Sequence, residues 1–147
     1  MFRQILASTD GSPRSGRAIK AAAELARIHG ATLTIFHAIP TYRTPYYAEG
    51  MGFAWPSEAQ YVKAATRDAT GILSKAAALA ARQGHEARTM QAQGDDIARA
   101  IAAAATKVRA DLIVMASHGR KGLGKLLLGS ETQKVLACTR TAVLVVR

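Results

Sequence analysis

Between Met115 and Thr132 the chain reads MASHGRKGLGKLLLGSET, a stretch that concentrates residue types suited to handling a negatively charged group. Gly119, Gly122, Gly124 and Gly129 let backbone amides come close to a ligand and point the same way. Ser130, Glu131 and Thr132 would open a helix, adding the positive end of its dipole, while Arg120 and Lys121 supply full charges. The chemistry is anion binding, and a phosphate group fits it. No nucleophile, orienting carboxylate or metal partner is specified around His118, which suits a backbone or phosphate contact better than a general base.

Two familiar phosphate motifs are approached and missed. Gly119 to Lys125 spells G-x-x-x-x-G-K, but Leu126 follows where Ser or Thr must hold magnesium. Gly11 to Arg17 spaces two glycines in the same way, with Arg17 in place of the lysine and Ala18 in place of the hydroxyl, and reads as a helix start. Gly122, Gly124 and Gly129 do not give G-x-G-x-x-G, so a dinucleotide fold of the Rossmann kind is not supported. His29, His37, His85 and His118 show no metal-ligand spacing with Cys138.

These residues must be positioned by regular elements, and the pattern predicts them. Five short segments read as strands, separated by helical patterns or long connections: 4–9, 32–38, 85–92, 111–116 and 141–147. That alternation argues for parallel βαβ units and a sheet buried on both faces. Asp10 to Pro13 supplies a turn, a cap and a proline at the first helical position, and Gly30 stands where a left-handed helix stop is wanted. Ser57 with Gln60 makes a capping box for a long helix to about Gln83, whose stripe is expected to be Tyr61, Ala65, Ile72, Ala76 and Leu79. Gly71 lies inside it. The third strand is polar and belongs at an edge. A helix ending near Val108 follows, with Ile97, Ile101, Ala105 and Val108 as its stripe, and Ser130 with Gln133 suggests a second capping box. The segment 39–56 breaks periodicity and holds Tyr42, Tyr46, Tyr47, Phe53 and Trp55; it reads as a long loop, either a binding surface or one stapled down by its own aromatics.

The 147 residues fit a single domain, long enough to bury roughly two-thirds of the unfolded surface. One cysteine, Cys138, forms no internal bridge, and no cleavable leader opens the chain, so a reducing cytoplasm is the expected home. No run of roughly 18 apolar residues appears, so no membrane span is expected. Lys plus Arg number 20 against 10 Asp plus Glu, for a formal charge of +10 that could attract nucleic acid. The bases are spread from Arg3 to Arg147 without interleaved aromatics, and an ordinary solvated surface accounts for them better.

The strand, then Gly119, nine residues, Gly129 and Ser130, then a short helix and the strand TAVLVVR, resembles the nucleotide-binding signature of universal stress proteins. The opening ILASTDGSPRSGRAIKAA and the strand LTIFHAIP are similar to that family too, so the resemblance covers nearly the whole chain. Ala116 departs from it, standing where the signature's first glycine usually falls. The resemblance implies an α/β fold of three layers, with a five-stranded parallel sheet in order 3-2-1-4-5 and helices on both faces. It implies adenine near Ala38, with ribose and nearby groups around Ser8, Thr9 and Asp10. Phosphates would lie against Ala116, Ser117, His118, Gly119, Arg120, Lys121 and Gly122, and against Gly129, Ser130, Glu131 and Thr132.

The function so implied is a stress-response regulatory protein that binds ATP or a related adenine nucleotide, with or without Mg²⁺. Hydrolysis would be slow, because no residue is evidently dedicated to activating water. Two other readings stay open: a slow ATPase or phosphotransferase using the incomplete P-loop, and a protein-interaction module that needs no nucleotide. A homodimer through the C-terminal strand is expected under each, because that strand is apolar and would otherwise expose an edge.

Overall fold

The computed structural model describes residues 1–43, 56–117 and 129–147. Its elements run β1 (Gln4–Ser8), α1 (Pro13–His29), β2 (Thr32–Pro40), α2 (Glu58–Arg82), β3 (Ala87–Gly94), α3 (Ile97–Lys107), β4 (Leu112–Ala116), α4 (Ser130–Cys138) and β5 (Ala142–Val146). All four pairings are parallel, in the order β3-β2-β1-β4-β5. This is the three-layer α/β sandwich expected from the alternation of elements.

Successive strand residues point to opposite faces, and each face has its own core. Ile5, Ala7, Leu33, Ile35, Leu112 and Val114 pack against α1 and α2. Leu6, Phe36, Ile113 and Met115 pack against α3 and Val135 of α4. The helices answer these large side chains with small ones. Ala18, Ala22, Ala23 and Ala26 of α1 are fully buried, as are Ala80 of α2 and Ala105 of α3. Helix axes can therefore lie close to the sheet while the strands supply the bulk.

The caps explain where most helices begin and end. Ser12 accepts from the Ser15 amide and Pro13 opens α1, which stops at Gly30 with φ 63. Ser57 and Gln60 form both halves of the capping box of α2. At the end of α3 the left-handed position belongs to Arg109, φ 53, where glycine is usual, so the sequence carried no stop signal there.

Three expectations are corrected. The buried stripe of α2 is Ala69, Leu73, Ala76 and Ala80, with Tyr61, Ala65, Ile72 and Leu79 only partly buried beside it. Ser130 is not a cap: Gly129 holds the N-cap position of α4 without any side-chain bond, and Ser130 is the first helical residue. The third strand starts at Ala87 and extends to Gly94, and it does lie at the sheet edge.

A Cβ added at Gly71 would meet nothing within 4 Å. Gly71→Ala should therefore raise the unfolding free energy by about 1 kcal/mol, since alanine is the better helix former. Ile113→Ala, at a site with no exposure, should lower it by about 2–5 kcal/mol. Urea titrations of the two variants check both signs; a destabilised Gly71→Ala would show that the glycine serves the backbone of α2.

Candidate functional site

The strand order reverses at β1, whose neighbours are β2 on one side and β4 on the other. The helices that follow β1 and β4, α1 and α4, pack on opposite faces, and a cleft of about 1370 Å³ opens at the C-terminal ends of the strands. Its floor is the ends of β1, β2 and β4. One wall is α2, and the far end is the N-terminus of α4 together with Ile97 and Ile101 of α3.

At the end of β1 a hydroxyl network shapes the floor. Thr9, nearly buried, has its Oγ1 2.9 Å from Ser15 Oγ and accepts from the Gly11 amide at 3.1 Å. Asp10 Oδ1 accepts from the Ser12 amide at 2.9 Å, a side-chain turn that starts α1. The Thr9 amide donates to the Phe36 carbonyl at 2.9 Å. His37 Nδ1 lies 2.7 Å from the Thr9 carbonyl, which can only accept, so Nδ1 carries the proton and donates. Together these bonds fasten the ends of β1 and β2 to each other.

The α4 end is built differently. The Gly129 amide donates to the Ser117 carbonyl at 2.8 Å, and the Ser117 amide donates to Val146 at 2.8 Å. Thr132, buried, turns its hydroxyl toward the Ala116 and Ser117 carbonyls at 3.2 and 3.1 Å. These bonds clamp the end of β4 to α4. They leave the amides of Ser130, Glu131 and Thr132, in the first turn of α4, without a partner among the described residues. Such amides, with the helix dipole behind them, favour an anion.

Glu131 already brings a negative charge to that helix end. Its Oε1 accepts from Lys134 Nζ at 2.9 Å, while Oε2 is buried with no hydrogen-bond partner among the described residues. The bond to Glu131, then its charge, and more weakly the charge of Asp96, hold the Lys134 ammonium above its usual pKa against a small opposing effect of burial. Ala116, the departure from the expected glycine, ends β4 with no positive φ, so its methyl group meets no backbone strain.

Of the residues singled out in the sequence, Ser8, Thr9, Asp10, Ala38, Ala116, Gly129, Ser130, Glu131 and Thr132 line this one cleft. Ser117 is buried and is not part of the lining. His118, Gly119, Arg120, Lys121 and Gly122 lie outside the described residues, as do Tyr46, Tyr47, Phe53 and Trp55 of the aromatic segment. The sequence reading missed His37 and the wall from Tyr61 to Lys75. Its signal was present: Tyr61, Ala65 and Ile72 were read as core, and they are the partly buried edge of α2 that faces the cleft.

A smaller hollow of about 320 Å³ adjoins the cleft at Pro40 and Tyr61. Its lining is tied together by Tyr42 Oη donating to the Pro56 carbonyl at 2.6 Å and Tyr61 Oη donating to the Pro40 carbonyl at 2.8 Å. The two rings lie 5.3 Å apart. The described ends of segment 39–56 are thus pinned by tyrosines. Among the described residues no group of three or more His, Cys, Asp or Glu is placed to hold a metal ion. No described helix is long and apolar enough to cross a membrane.

Sequence and fold comparisons agree with this architecture. A universal stress protein of Thermus aquaticus is 35% identical over 151 aligned positions, covering 100% of both chains. A universal stress protein crystallised in complex with cAMP is 27% identical, covers 99% of this chain and 97% of that one, and superposes with a TM-score of 0.72. UspA from Lactobacillus plantarum, at 22% identity, shares the fold with a TM-score of 0.80 over 99% of this chain and 97% of its own. The profile of the universal stress protein family matches residues 1–147. With the strand order, the cleft at its reversal and the match along its whole length in agreement, the chain belongs to the universal stress protein family.

Proposed function

We propose that this protein is a stress-response regulator, working in the cytoplasm, that binds ATP or a related adenine nucleotide in the cleft above β1, β2 and β4. The observation that carries this reading is the α4 terminus: three consecutive amides, from Ser130 to Thr132, open into the cleft end with no capping side chain. The related structure solved with cAMP supports an adenine nucleotide as the occupant. In this reading the base lies near Ala38, the ribose beside Ser8 to Asp10, and the phosphates at 116–122 and 129–132. Ser117 and the Thr132 hydroxyl act as supports, because their bonds are already given to the β4–α4 clamp. Mg²⁺, where it accompanies the polyphosphate, would be held chiefly by phosphate oxygens.

Calorimetry with ATP and AMP on the pure protein tests the reading. Binding should raise the melting temperature in proportion to ligand concentration, and Gly129→Arg, which fills the α4 end, should abolish it. No heat and no thermal shift at millimolar nucleotide would reject the site.

Glu131 supplies a second test. Its carboxylate competes with phosphate for one helix end, so Glu131→Gln should tighten ATP by about two- to fivefold. Weaker binding would instead assign Glu131 a contact with the ligand or its metal.

The protein acts as a homodimer through β5. That strand closes the sheet, and Leu144 on it and Leu136 on α4 are exposed by 38% and 44%. Light scattering should report a dimer that Leu144→Lys splits into monomers; a monomer at high concentration in the parent protein would remove the idea.

A further inference from the structure

We propose that His37 makes the cleft select a 6-aminopurine over a 6-oxopurine, by presenting an unprotonated Nε2 to the edge of the base; the inference rests on the reading of the cleft as a nucleotide site. The hydrogen bond at Nδ1 assigns the tautomer of the neutral ring. A backbone carbonyl has no proton to give, so the 2.7 Å contact with Thr9 commits Nδ1 as the donor. In the neutral ring, Nε2 is then an acceptor and nothing else. No described residue gives it a hydrogen bond, and the half-buried ring lines the cleft.

Its place in the fold suits a base. Leu33, Ile35 and His37 alternate onto one face of β2, the first two within the core shared with α2. Where β2 ends, α2 offers Ala65 and Ala69 to the same cleft, side chains small enough to leave room for a flat ring, with Ile72 as an apolar flank. A 6-amino group brings an N–H to Nε2. A 6-oxo group brings a lone pair against a lone pair, so the imidazole attracts one base and repels the other. Asp10 and Asp68 also line the cleft as acceptors, and Arg67 and Lys75 as donors, so the contribution of His37 has to be isolated by substitution.

His37→Asn does this. The asparagine amide nitrogen stands near the position of Nδ1 and can keep the bond to Thr9, while nothing replaces Nε2. Calorimetry would compare AMP, IMP and purine riboside 5′-monophosphate, which lacks any 6-substituent. The parent protein should bind AMP about tenfold more tightly than either analogue, and His37→Asn should bind all three within about threefold of one another. A variant that keeps the tenfold preference, or a parent protein that binds the three equally, overturns the inference while leaving the nucleotide site standing. A parent protein that binds none of them ends both. If the variant does not fold, the parent protein with nitrogen-15-labelled histidine gives the answer: AMP should move the His37 Nε2 resonance upfield, as accepting a hydrogen bond does, and an unmoved resonance overturns the proposal.

Discussion

The pairing of β1 with β4, Ile5 opposite Leu112, Leu6 opposite Ile113 and Ala7 opposite Val114, sets the rest of the molecule. It places β1 between β2 and β4, so the chain must leave β1 toward one face and β4 toward the other. α1 therefore packs in the core with Leu33 and Val114, and α4 reaches the opposite core through Val135. With α1 and α4 on opposite faces, the cleft opens over the strand ends where the order reverses. The cleft is a consequence of strand order, present before any residue is chosen to line it.

Residue choice then decides what the cleft can do. A sheet buried on both faces needs helices close to it, and the alanines of α1, α2 and α3 allow that approach. The same economy of side-chain volume continues along α2 past the core, where Ala64, Ala65 and Gly71 line the cleft. Tyr61 and Ile72 are the larger groups there, and they are not fully buried. Core packing and the cleft wall thus share one helix, overlapping between Ala69 and Lys75, with the lining alone continuing toward Tyr61.

Much of this was legible because the signals are local. Ser12 with Pro13, Gly30, and Ser57 with Gln60 each act within one turn of helix, and the structure uses each as read. Buried strands such as DLIVMA are equally plain. The errors came where one pattern serves two geometries. Ser130 with Gln133 has the spacing of a capping box, but the tie between Gly129 and Ser117 already begins the helix a residue earlier, leaving Ser130 inside it. Arg109 ends α3 in a conformation that only glycine would have advertised. The apolar row on α2 was read as core because periodicity reports which side chains share a face, and says nothing about whether a strand lies beneath them. His37 is hidden in the sequence for a related reason: its place in the cleft is fixed by the carbonyl of Thr9, 28 residues earlier in the chain.

The polar groups around the cleft divide into those already spent and those not. Thr9, Ser15 and Ser12 bond one another, and Thr132 with Gly129 closes the β4–α4 clamp, so these hydroxyls and amides fix shape and offer a ligand little. The α4 terminus is the reverse case. A glycine at the N-cap forgoes the side-chain acceptor that Ser12 and Ser57 provide to α1 and α2, and Glu131 Oε2 is buried without a hydrogen bond among the described residues. A fold that satisfies its polar groups at one end of the cleft and, among the described residues, leaves helix-terminal donors without partners at the other has placed its open donors where a negative charge is favoured.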